Sequence, residues 1–116
     1  MGSADGFVAK ISTHVLDTVT GDPARAVAVR LERRDDGGWR LLAEGRTDAD
    51  GRWKPQLPAD DWVSGGFRLV FEVEPYLGGE VFFPEITIAF HVHDTQRHYH
   101  VPLLLSRYGY TTYRGS

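Results

Sequence analysis

Apolar residues recur at every second position along most of this chain, and glycine, proline and aspartate break the pattern at short intervals. A strand turns successive side chains to opposite faces, so this period describes short strands with one buried and one solvated face. Residues 7–15 read as a first strand. Phe7, Ala9, Ile11, Thr13 and Val15 share one face, and Val8, Lys10, Ser12 and His14 the other. Val27, Val29 and Leu31 mark the inner face of a strand over 26–34, and Asp35-Asp36-Gly37-Gly38 is a hairpin turn into another over 39–46. A short extended segment at 52–54 and strands over 67–73, 86–92, 98–105 and 108–114 follow, while 75–80 has room for a helical turn at most. Seven to eight short strands with little helix predict an all-β fold, a β-sandwich of two antiparallel sheets.

The 116 residues suit one domain spanning 1–116, with Met1 to Gly6 expected to be disordered. There is no cysteine, so stability must come from the core or from an oligomer interface, and thiolate chemistry is excluded. A net charge of −3 offers no basic excess for phosphates, which argues against nucleic acid as a partner. The clean apolar run Val101 to Leu105 is far too short to span a membrane. The N-terminal residues have neither the basic nor the apolar region of a signal peptide, so a cytoplasmic location is expected.

Five histidines are the main reactive groups, four of them arranged as His91-x-His93 and His98-x-His100. Residues two apart on a strand share a face, which suits either a metal or polar side chains near a turn. In 98–105, Tyr99, Val101, Leu103 and Leu105 suit the core, whereas His98, His100, Pro102 and Leu104 share the other face. Histidine mixed with proline and leucine suits an interface or a pocket lining better than bulk water. His14 also lies opposite its strand's apolar face, so His14 and His100 meet outside the core if their strands share a sheet. Asp48-x-Asp50-Gly51 is a turn and not a calcium loop, because Arg46 stands where the first ligand belongs. No Gly-x-Ser-x-Gly elbow or phosphate loop is present. The last residues, from Tyr108 on, are unusually aromatic for a chain end.

Three segments in order carry a resemblance over nearly the whole chain. Ile11-Ser12-Thr13-His14-Val15-Leu16-Asp17, followed by Gly21-Asp22-Pro23-Ala24, resembles the first signature of the transthyretin-like family. His98-Tyr99-His100-Val101-Pro102-Leu103-Leu104-Leu105-Ser106 resembles the second. Tyr113-Arg114-Gly115-Ser116 resembles the tetrapeptide of the family's hydrolase branch, and Phe82-Phe83-Pro84-Glu85 and Asp50-Gly51-Arg52 also fit that branch. Arg107 departs from the proline often found there. The resemblance implies a homotetramer with active sites in clefts between dimers, and a small-molecule substrate, 5-hydroxyisourate. The implied reaction is its hydrolysis to 2-oxo-4-hydroxy-4-carboxy-5-ureidoimidazoline in urate degradation, with no metal or organic cofactor. It implies catalytic roles for His14, Arg52, His100 and Ser116, with Tyr113, Arg114 and Gly115 completing the substrate-binding set. The alternative is a transthyretin-like carrier of a small ligand. Carriers of that kind have lysine where His14 stands and lack the terminal Tyr-Arg-Gly-Ser.

Overall fold

The computed structural model describes residues 6–116. The disorder expected for Met1 to Gly6 lies outside the described residues except at Gly6, whose carbonyl accepts a hydrogen bond from the Ala59 N–H.

In chain order the strands are β1 (Phe7–Val8), β2 (Ile11–Asp17), β3 (Ala28–Asp35), β4 (Gly38–Arg46), β5 (Arg52–Trp53), β6 (Leu57–Pro58), β7 (Gly65–Glu72), β8 (Glu85–Val92), β9 (Tyr99–Leu105) and β10 (Tyr110–Thr112). One short helix, α1 (Glu74–Leu77), supplies the helical turn expected after β7. The β-sandwich is as expected: one sheet runs β4-β3-β7-β8 and the other β10-β9-β2-β5, with β1 and β6 paired apart. Ten strands among the described residues replace the expected seven to eight, because the first breaks into β1 and β2 and the two-residue β6 pairs with β1. That break leaves Phe7 61% exposed rather than on the core face.

The expectation of two antiparallel sheets needs correction for one of them. β2 and β9 run parallel, from Ile11 beside Tyr99 to Asp17 beside Leu105. Parallel strands need a long crossover, and here the other sheet and β5 to β8 lie between them in the chain. The register is fixed from inside, where the buried Thr13 hydroxyl donates to the Val101 carbonyl at 2.6 Å.

Alternation puts the core where the sequence places it. Ile11 and Val15 from β2, Val29 and Leu31 from β3, Phe67, Leu69 and Phe71 from β7, and Leu103 and Leu105 from β9 are all buried. Full burial of such side chains contributes about 1.5–3 kcal/mol each. Asp17 is buried among them but satisfied. Its carboxylate accepts from the Val19 and Thr20 N–H groups and from the Tyr76 hydroxyl of α1 at 2.9 Å. Burial and that carboxylate push the Tyr76 hydroxyl up to about 12, so it remains a donor.

Candidate active site

The side chains of interest lie on the outer face of the β10-β9-β2-β5 sheet. Parallel pairing sets Ser12 beside His100 and His14 beside Pro102, and β5 sets Arg52 opposite His14. Strand alternation then turns Ser12, His14, His100 and Arg52 to the same side, away from Thr13, Val15 and Val101. Residues separated by about 40 to 90 positions are thereby gathered into two neighbouring rows.

The turn before β5 aims Arg52. Asp48 Oδ1 accepts the Asp50 and Arg52 N–H groups, each at 2.9 Å, and closes an Asx turn. Gly51 sits at φ 76°, and a Cβ there would run into the Val15 carbonyl. Its own carbonyl accepts the Val15 N–H at 2.7 Å, so the turn docks directly on β2. The Arg52 backbone bond holds the Asp48 carboxyl below its ordinary range, helped by the Asp50 N–H and the charges of Arg52 and His14.

The chain's last residues continue the sheet. β10 pairs with β9 from Tyr110 beside Leu105 to Thr112 beside Leu103, and Gly115 meets His100 in the same register. The Gly115 N–H donates to the His100 carbonyl at 2.8 Å. A Cβ on Gly115 would lie 2.5 Å from His100 Cδ2, so only glycine lets the strand pass so close to the ring. This contact also covers Pro102, which shares the outer face of His100 and is buried there.

Ser12, Arg52, Lys54, His98, His100 and Ser116 line a cleft of about 280 Å³ on this face. His14 borders it in the next row, beside Arg52. Ser12 Oγ lies 2.8 Å from His100 Nδ1 and 3.3 Å from His98 Nε2. Burial, then the charges of Arg52 and His14, hold His100 below its ordinary value. Burial, then Lys54 and Lys10, do the same for His98. Both imidazoles are therefore neutral near pH 7 and able to accept a proton.

Not every expected residue joins this cleft. Tyr113 and Arg114 line a separate cleft of about 250 Å³ with His91, His93 and Tyr99. The Arg114 guanidinium lies 4.5 Å from the centre of the Tyr99 ring, so its present contact fastens the strand end. The four clustered histidines are likewise divided between the two clefts. The described residues contain no group of three or more histidine, cysteine or acidic side chains placed to hold a metal. No helix among them is long and apolar enough to cross a membrane.

Sequence reasoning named neither Ser12 nor Lys54 as site residues. The signal was present, since Ser12 shares the face of His14, and Lys54 lies two residues beyond Arg52.

Comparison with known proteins agrees with this architecture. The model of the HIUase/Transthyretin family matches residues 11–115. A 5-hydroxyisourate hydrolase of Salmonella dublin is 49% identical over 109 residues, covering 91% of this chain and 80% of that protein. Among solved structures, the 5-hydroxyisourate hydrolase of Klebsiella pneumoniae superposes with a TM-score of 0.80 at 34% identity, over 94% of this chain and all of that one. Sea bream transthyretin in complex with thyroxine superposes with a TM-score of 0.84 at 32% identity, over 91% of this chain and 94% of that one. By sequence and by fold, this chain belongs to the HIUase/Transthyretin family.

Proposed function

We propose that the chain is a hydroxyisourate hydrolase, which opens 5-hydroxyisourate to 2-oxo-4-hydroxy-4-carboxy-5-ureidoimidazoline. The observation that carries this reading is the junction of His100, Arg52 and Ser116 in one cleft, with His14 at its border. Ring opening at a carbonyl needs a base for water, a proton for the leaving nitrogen and a place for negative charge. With Nδ1 held by Ser12, His100 presents Nε2 to water and serves first as base and then as acid. Arg52 is always charged, and its forked donors suit an oxygen-rich substrate and its oxyanion. His14 binds the substrate from the neighbouring row, and Ser116 orients water or substrate through its hydroxyl or its carboxylate. Tyr113, Arg114 and Gly115 hold the strand end that carries Ser116. The reaction uses no metal or organic cofactor.

The assembly proposed with this chemistry is a cytoplasmic homotetramer with its sites in clefts between dimers. The outer face of β9 leaves Leu104 only half-buried, and two-fold association is a common way to cover such a face. Light scattering at micromolar protein is expected to give four copies. A monomer would remove the shared cleft.

The competing reading is a carrier, since the superposed sea bream protein holds thyroxine and fold alone does not decide function. The cleft lined by Arg52, Lys54, His98 and His100 suits polar, anionic chemistry instead. The test follows the decay of freshly generated 5-hydroxyisourate by absorbance, with and without the protein. Catalysed decay supports the hydrolase, and decay at the spontaneous rate overturns it.

A further inference from the structure

We propose that Ser12 is a positioning residue that joins His98 and His100 into a proton relay from the cleft to solvent. The inference rests on the hydrolase reading for its chemistry, and on geometry for its parts. Ser12 Oγ stands between two imidazole nitrogens, 2.8 Å from His100 Nδ1 and 3.3 Å from His98 Nε2. A hydroxyl has one proton and two lone pairs, so it accepts from one ring while donating to the other. His100 is half-buried in the cleft, whereas His98 is exposed. Both rings line the cleft, and His98 is the more exposed of the two, so it is the end of the chain nearer to water.

Backbone pairing holds the arrangement in place. Parallel pairing sets Ser12 and His100 side by side, and the buried bond from Thr13 to Val101 fixes that register. Gly115 confines the His100 ring from the far side. Burial first, and then the charges of Lys54 and Lys10 beside His98 and of Arg52 and His14 beside His100, favour the neutral form of both rings. Two neutral imidazoles in series pass a proton in either direction without either one holding a charge.

The relay supplies a complete cycle. At rest His100 carries its proton on Nδ1 and donates to Ser12, which donates to His98 Nε2. When water attacks the ring carbonyl, a water proton passes to His100 Nε2. The Nδ1 proton moves to Ser12, the Ser12 proton to His98 Nε2, and the Nδ1 proton of His98 leaves to solvent. When the carbon–nitrogen bond breaks, His100 gives its Nε2 proton to the leaving nitrogen. Ser12 then returns a proton to His100 Nδ1, His98 Nε2 returns one to Ser12, and solvent reprotonates His98 at Nδ1. The second proton of the attacking water is shed as the new carboxyl group ionises. Atoms balance, and the three side chains end as they began.

Ser12→Ala, Ser12→Thr and His98→Ala test the relay, with kcat, KM, melting temperature and ¹⁵N spectra of the imidazoles measured for each. Ser12→Ala is expected to lower kcat by roughly 10- to 100-fold with KM little changed, since it removes the path but not the base. Ser12→Thr keeps the hydroxyl and is expected to restore kcat to within a few-fold. His98→Ala is expected to regain turnover as free imidazole is added. In the resting protein the spectra should place the His100 proton on Nδ1, and Ser12→Ala should release that preference. Unchanged kcat in Ser12→Ala, or equal losses in Ser12→Ala and Ser12→Thr, would overturn the relay. So would a His100 tautomer indifferent to Ser12. If the unaltered protein turns over no 5-hydroxyisourate, the hydrolase reading fails, and the tautomer spectra alone decide whether Ser12 joins the two rings.

Discussion

His91-x-His93 and His98-x-His100 have the same spacing and opposite surroundings. The first pair stands at the end of β8, with ring centres 5.4 Å apart and edge to face. Its cleft is lined largely by Ile88, Phe90, Tyr99 and Val101. The second pair faces β2 and β5, which bring it a hydroxyl at 2.8 Å and the cations Arg52 and Lys54. The difference lies in the strands alongside. A pair of imidazoles becomes a candidate for acid–base work when neighbouring strands fix one ring nitrogen and place a charge beside the other.

The largest effect is expected from Arg52→Lys, which keeps the charge but loses the forked donors. Turnover should fall by roughly 10²–10⁴-fold with melting temperature little changed. Full turnover in a folded variant would remove Arg52 from the reaction. Deleting Tyr113 to Ser116 is expected to abolish most activity and leave a folded protein. The deleted residues lie outside the buried core and extend an edge strand. Steady-state rates measured beside the size and melting curve of the truncated protein check this.

Gly115→Ala sharpens the comparison at a single methyl group. The added Cβ meets His100 Cδ2 and would force the ring or the strand end to shift. A displacement of that kind costs up to about 100-fold in rate. No such loss is expected from glycine substitutions that meet open space, such as Gly38→Ala. Equal rates for the two variants would show that the strand end does not confine the His100 ring.

A smaller effect concerns pH. Burial, with Arg52 and His14 adding to it, lowers His100 from 6.5. The neutral base therefore persists below that value, and the acid limb of kcat/KM should fall at lower pH than for a free imidazole. Arg52→Gln removes one of the positive charges, so the limb of its residual activity should move upward. A limb at or above 6.5 in the unaltered protein would contradict the cause assigned here.

Alternation made much of the fold legible. It placed Ile11, Thr13 and Val15 inside with His14 outside, and Leu103 and Leu105 inside with His100 outside. It did not show that β2 and β9 run parallel, because that pairing joins segments about 88 residues apart and no hairpin sets its sense. The bond from Ser12 to His98 was hidden for the same reason. What covers Pro102 was not legible, because Gly115 beside it contributes backbone rather than a side chain. The terminal resemblance groups Tyr113 and Arg114 with Ser116, yet the regular strand ends at Thr112 and the two residues beyond it line another cleft. Their cleft holds the other pair of histidines.

The most direct measurement compares His100→Asn with His91→Asn in the 5-hydroxyisourate decay assay, both checked for folding and size. His91→Asn should decay substrate as fast as the unaltered protein. His100→Asn should be slower by roughly 10²–10⁴-fold, the usual range for loss of a positioned acid–base group. Equal rates in the two variants, or the larger loss at His91, would contradict the placement of the chemistry on the face shared by β2, β5 and β9.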